Sequence, residues 1–299
     1  MRLATGIRAQ CSDLVCYVLL PGFSVLVPGA FSRWLLWRIS CWEWIMHDAA
    51  AASLEGAAKH VEIKNATDWR RRWKRVEMLD VRDLYLMIFG RSGTVIGEIE
   101  CCAPIEVAQN RVMVGMHWGP GISILKLLAV RGLNPAFPYR PPQRQLLRSR
   151  PFHYLFSKLT ARYLKQTLGE RAVPVGGAGK VLQGLLEREG SICILMDAPP
   201  MQGRRAASEK VLGRDAWFNT GFPALMADRH KEYVFYAMNL RADGSLKKSL
   251  ELEGPFKAHD AKAFLRAYAD FLHRHAARDS AQWRFWRVEE QFWKTDGHQ

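Results

Sequence analysis

The chain has 299 residues, 48% of them hydrophobic, which is enough to bury a substantial core as one large domain or two smaller ones. Its 43 lysines and arginines against 29 acidic residues give a net charge of +14, so an anionic neighbour is expected: nucleic acid, a phospholipid surface, or an acidic carrier or substrate. The six cysteines, Cys11, Cys16, Cys41, Cys101, Cys102 and Cys193, show no CxxC and no zinc-finger spacing. That pattern argues against a disulfide framework, favours reduced thiols in a cytoplasmic setting, and suggests no metal site.

Residues 14–32 carry no charge and approach the roughly 20 apolar residues that cross a bilayer. Pro21-Gly22 and Pro28-Gly29 interrupt this run, which disfavours a straight spanning helix, and no convincing cleavage site marks it as a signal peptide. Arg33, Trp34, Trp37, Arg38, Trp42 and Trp44 follow, a mixture suited to a membrane interface, where indole rings sit among headgroups and cations meet phosphate. Membrane contact is therefore expected here, with a buried helical hairpin as the alternative.

Residues 47–80 have helical spacing and include the cluster Arg70-Arg71-Arg72-Trp73-Lys74-Arg75. No nucleic-acid motif accompanies the cluster, so a solvated or lipid-facing helix is the expectation. The helix continues over 81–89 and stops at Gly90. From about residue 95 strands and helices alternate. Strands are expected at 112–116, 173–175, 192–196, 233–239 and 246–252, and helices at 121–131, 143–168, 178–188, 220–231 and 260–277. Asp243-Gly244 lies in a hairpin turn. The alternation predicts an α/β domain over 81–299 with a largely buried sheet, preceded by a hydrophobic and basic helical extension over 1–80.

Three polar residues follow strand-like runs: His117, Arg140 and Asp197. Ligands of open α/β sheets collect at the carboxyl ends of strands, so the three have a route to one cleft. Histidine is the side chain best matched to proton transfer near neutral pH. Cys193 lies inside a strand pattern and reads as core. The segment Gln282-Trp283-Arg284-Phe285-Trp286-Arg287 reads as tryptophans packed over the sheet, or as a second membrane-facing patch.

Over residues 80–295 the chain resembles the late acyltransferases of lipid A biosynthesis, the lauroyl/myristoyl group of the glycerolipid acyltransferase-like superfamily. The marks are His117-Trp118-Gly119 after a strand, Tyr139-Arg140-Pro141, Gly179 to Gly190 leading to a strand that ends at Asp197, Thr220-Gly221-Phe222-Pro223, and Gln282-Trp283-Arg284-Phe285-Trp286. The resemblance implies a mixed sheet flanked by helices, in an enzyme at the cytoplasmic face of the inner membrane. It implies transfer of a fatty acyl group from an acyl carrier protein or coenzyme A thioester, a co-substrate rather than a bound cofactor, to a membrane lipid or glycolipid. Nucleic acid is not among the implied partners.

On that reading His117 is the general base. The backbone N–H groups of the turn Gly119 to Ile122 face the oxyanion, Gly121 and Ile122 foremost because Pro120 has none. Arg140 binds phosphate, and Arg204 with Arg205 assists or grips an acidic carrier. The chain departs from the family where it places a carboxylate five residues after the histidine: here that residue is Ile122, and the second acid usual after Asp197 is replaced by Pro199. Three accounts follow. Asp197, Glu98 or Glu100 orients His117; or His117 works without a carboxylate on an easier acceptor such as an amine; or the chain is a lapsed, lipid-binding relative.

Overall fold

A computed structural model describes residues 2–176, 178–188, 190–200 and 205–293; Arg204 lies outside the described residues. Helix α1 (Arg2–Leu14), a π-helical turn (Val15–Leu19) and α2 (Leu20–Leu26) follow one another without a break. Within this rod, Gly6–Leu26 has a mean hydropathy of 1.4 and is long and apolar enough to cross a membrane. Pro21-Gly22 does not interrupt it, contrary to expectation. Pro21 sits in the first turn of α2, where a missing N–H is tolerated, and the Tyr85 hydroxyl donates to the Tyr17 carbonyl at 2.6 Å. The second pair does end the rod: Val27 turns extended and α3 (Gly29–Ile39) starts anew.

Helix α4 (His47–Ala58) is rich in small residues and lies against the C-terminal turns, so closely that a Cβ on Gly56 would stand 2.1 Å from the Trp286 carbonyl oxygen. The long α5 (Ala66–Ile88) is capped by Asn65, whose side chain accepts from the N–H groups of Thr67 and Asp68, both at 3.1 Å. The arginine cluster it carries is tied into the fold rather than solvated. Lys74 is buried and donates to the Trp42 carbonyl at 2.8 Å, and Arg72 reaches Asp279 at 2.6 Å and the Leu240 carbonyl at 2.9 Å. Arg75 holds Ser40 at 3.0 Å and lies over the Trp37 ring. Residue 80, the expected end of the extension, falls in the middle of α5. Leu36 and Trp73 share one core with Val114 and Trp283, so no core boundary separates the extension from the rest.

After α6 (Ser92–Gly97), the chain alternates as expected: β1 (Ile99–Cys101), β2 (Val112–Gly115), α7 (Ile124–Val130), β3 (Phe137–Tyr139), α8 (Leu146–Ser149), α9 (Pro151–Leu168), β4 (Ala172–Pro174), α10 (Ala178–Glu187) and β5 (Ile192–Leu195). Then come the hairpin β6 (Ala206–Val211) and β7 (Arg214–Asn219), α11 (Gly221–Asp228), β8 (Glu232–Leu240), β9 (Lys248–Lys257) and α12 (Ala261–Asp279). The β6–β7 hairpin is not foreseen in the sequence, and the helix expected over 143–168 breaks at Arg150-Pro151.

The main sheet is mixed, in the order β1-β9-β8-β2-β5, with only the β8–β9 pair antiparallel. A parallel bridge from Ala136 to Ile192 joins the β3–β4 pair to its far side. Both faces are covered. Val112 and Val114 point into a core with Phe264, Tyr268 and Phe271 of α12, while Met113, one residue out of phase, points into a second core with Leu125 and Leu128 of α7. The fold is thus α/β with helices on both sides of a mixed sheet, and one apolar N-terminal helix.

Candidate active site

Strands β2 and β5 are parallel neighbours with Gly115 opposite Leu195. Two residues past that pair come His117 and Asp197, so the register itself brings them together. Gly115 is required at this point, because a Cβ there would meet the Tyr236 ring at 2.4 Å. The Asp197 carboxylate is fully buried. Its Oδ1 lies 2.7 Å from His117 Nδ1, and its Oδ2 accepts from the His117 backbone N–H at 2.7 Å and from the Trp283 indole N–H at 2.8 Å. Three N–H groups thus face one acceptor, which puts the imidazole proton on Nδ1 and leaves Nε2 as the free base. The His117 side chain is 31% exposed and its ring lies 4.1 Å, centroid to centroid, from Phe285.

The turn after His117 is clamped from the C-terminal segment. Arg284 N–H donates to the His117 carbonyl at 3.0 Å, Gly119 N–H donates to the Gln282 carbonyl at 2.9 Å, and Trp118 bridges Trp283. Gly119 has φ +53°, and a Cβ there would lie 1.8 Å from the Met238 carbonyl oxygen, so no other residue fits the turn. Trp283 and Trp286 are buried, which settles that segment as packing over the sheet.

His117 opens on a cavity of about 380 Å³. The N-terminal helix forms one wall with Arg8, Asp13 and Tyr17; α5 gives Trp73 and Glu77, the start of α9 gives Arg150 and His153, and the C-terminal segment gives Arg284, Phe285 and Arg287. Two ion pairs brace it. Arg150 grips Asp13 through two bonds of 2.8 and 2.5 Å, and Arg284 grips Glu77 at 2.7 and 2.9 Å while reaching Asp80 at 2.6 Å. Burial alone would push the Glu77 carboxyl up, but the Arg284 guanidinium more than offsets this and holds it below the usual carboxylate value. Arg284 is raised in turn: burial disfavours its charge, and Glu77 and Asp80 overcome that. His153 is pushed down to about 4 by burial and then by Arg150, so at neutral pH it is an uncharged wall. Its Nδ1 has no partner among the described residues.

The other expected residues fall differently. Ile122, at the position of the family's acid, has its N–H bound to Asp80 Oδ1 at 2.8 Å, and Gly121 N–H donates to the Gly119 carbonyl at 3.0 Å. Both N–H groups expected to face an oxyanion are therefore already engaged. Arg140 is exposed at the end of β3, beyond β5, and does not line the cavity. Glu98 is bound by Arg82 and Arg33 and Glu100 by Arg241, so neither reaches His117. Arg205 is exposed and its carbonyl accepts from the Thr220 hydroxyl. Burial pushes the Cys193 thiol up to about 12, consistent with a core residue. No group of metal-ligating side chains occurs among the described residues.

Trp283, Arg284, Glu77, Asp80, Asp13 and Arg150 complete the site without having been foreseen. The only signal for the acids of α5 was their setting: Glu77 and Asp80 interrupt an apolar run of Val76, Met78, Leu79 and Val81, where a carboxylate needs a buried partner. No family model and no curated protein matches this chain.

Proposed function

We propose that the protein is a membrane-associated acyltransferase, with His117 as general base and Asp197 as the carboxylate that orients it. The observation that carries this reading is the buried Asp197 bonded to His117 Nδ1, with Nε2 left toward a cavity walled partly by the apolar N-terminal helix. Asp197 thus supplies from β5 what the family supplies from the residue that is Ile122 here. A lipid whose headgroup enters that cavity keeps its chains on the apolar side. The glycerolipid acyltransferase-like fold, the cytoplasmic face of the inner membrane and an acyl carrier protein or coenzyme A thioester as donor belong to the same proposal.

In the reaction, an acceptor hydroxyl or amine attacks the thioester carbonyl while His117 Nε2 takes its proton. The tetrahedral intermediate collapses with cleavage of the C–S bond, and the histidine returns the proton to the departing thiolate, giving an ester or amide and a free thiol. With the Gly121 and Ile122 N–H groups engaged, the oxyanion is left to the guanidinium groups on the cavity wall that no carboxylate holds among the described residues, those of Arg8 and Arg287. The test is thiol release by the purified protein in detergent, given an acyl thioester and a lipid acceptor. His117→Ala lowers the rate by about 10²–10⁴-fold with an unchanged unfolding midpoint. An equal rate in that variant removes His117 from the mechanism.

A further inference from the structure

From residue 107 to residue 169 the sequence contains no aspartate or glutamate and ten lysines and arginines, so this stretch supplies +10 of the chain's +14. Four of the ten are Arg111, Lys126, Arg131 and Arg150, of which Arg111, Arg131 and Arg150 are paired with Glu232, Glu106 and Asp13. The other six, Arg140, Arg144, Arg148, Lys158, Arg162 and Lys165, are exposed and have no acidic partner among the described residues. Lys158, Arg162 and Lys165 recur on one side of α9 at helical spacing. They rim a shallow groove of about 400 Å³ floored by Tyr139, Pro142 and Ala161, separate from the cavity at His117.

The groove has a definite relation to the catalytic pair. Tyr139 ends β3, which runs parallel to β2 and β5 and stands beside β5 through the Ala136–Ile192 bridge. Groove and His117 therefore lie at the same sheet edge, two strands apart, or about 10 Å at the usual strand spacing.

We infer that this groove is the docking surface for an acidic protein, which lays an acidic helix across the basic rim and a projecting apolar side chain on the floor. The inference rests on the acyl-transfer reading, which makes the partner the protein that carries the acyl thioester and sets its flexible arm within reach of His117. A bilayer fits this surface less well. A concave floor ringed by cations does not insert into lipid, and the most exposed large apolar side chain among the described residues, Leu26 at 81%, is on an N-terminal helix.

The probe is an acyl carrier protein in its apo form, which has no arm and so reports docking without chemistry. Titrated against the full chain in detergent at low salt, it binds and is released by added salt. Arg162→Glu with Lys165→Glu weakens that binding by about tenfold or more, whereas Lys257→Glu with Lys262→Glu, an equal change of net charge at β9 and the start of α12, four strands from β3, has about a twofold effect at most. All four side chains are exposed, and an unchanged unfolding midpoint confirms that the variants fold. Failure of the carrier to bind, or equal binding to both double variants, overturns the inference. So does a groove variant that loses adsorption to phosphatidylglycerol vesicles while keeping carrier affinity, since the surface then belongs to the membrane. Thiol release from either donor, the acylated carrier protein or acyl coenzyme A, by the unaltered chain with a lipid acceptor reads the other claim separately. Its absence alongside intact docking would sink the acyl-transfer reading and leave the docking surface standing.

Discussion

Two groups of charged side chains lie close to α5, and they have opposite designs. In the first, Arg82 and Asp83 are fully buried with Lys248, and the Arg82 guanidinium spends its donors on Glu98 at 2.7 and 2.9 Å, Asp83 at 2.9 Å and Ser32 at 2.8 Å. Every charge there faces an opposite charge, and all four side chains are buried. In the second, Asp197 is just as buried, but the imidazole it holds is partly exposed and lines a cavity. One cluster fastens α3, α5, α6 and β9 to each other; the other holds an imidazole still and leaves its Nε2 without a partner among the described residues. Burial of charge alone does not distinguish a site from a rivet. The distinguishing feature is an unsatisfied valence directed at space that a ligand can fill.

The sharpest way to separate the two is to remove one charge from the first. Arg82→Met leaves Glu98 short of its main partner and Asp83 with Lys248 alone, and costs roughly 3–5 kcal/mol of stability. Urea unfolding reads that loss, and the rate per folded molecule stays as it was. A loss of rate at unchanged stability would erase the distinction between the clusters. Next in size is Trp283→Phe, which keeps the packed ring and removes one donor from Asp197. A hydrogen bond to a charged group contributes about 1.5–3 kcal/mol, so kcat falls by about 10- to 100-fold while KM for the acceptor is held. A KM effect with constant kcat would make Trp283 part of substrate binding instead. The smallest effect is expected at Ile122→Glu. It restores the family's acid, yet Nδ1 already has its carboxylate, and the rate changes by about twofold at most. A large gain would show that Asp197 orients His117 incompletely.

The pair itself was legible because it rests on short-range facts: two apolar runs of similar length, each ending in a polar residue, on strands that the register brings side by side. Arg140 has the same local signature, and only the order of strands, with β5 lying between β2 and β3, separates it from His117. The continuity of the N-terminal rod is hidden in the sequence for a similar reason. Pro21 breaks a helix by orphaning a carbonyl, and the hydroxyl that relieves this comes from Tyr85 on another helix. The supports of the site, Trp283 on Asp197 and Arg284 between Glu77 and Asp80, join segments remote in sequence through hydrogen bonds that leave no periodic trace. The arginine cluster of α5 showed the converse: its composition reads as solvated, and its partners, the Trp42 and Leu240 carbonyls and Asp279, become visible only on folding.

The central claim is that Asp197 does for His117 what the missing motif acid does elsewhere. Asp197→Asn tests it most directly, since the amide keeps the shape and can still accept from Trp283. The account predicts that its steady-state thiol release drops by about 10²-fold or more, because the amide no longer holds the imidazole in the Nδ1–H form or stabilises its protonated state. A rate equal to that of the unaltered chain would contradict it.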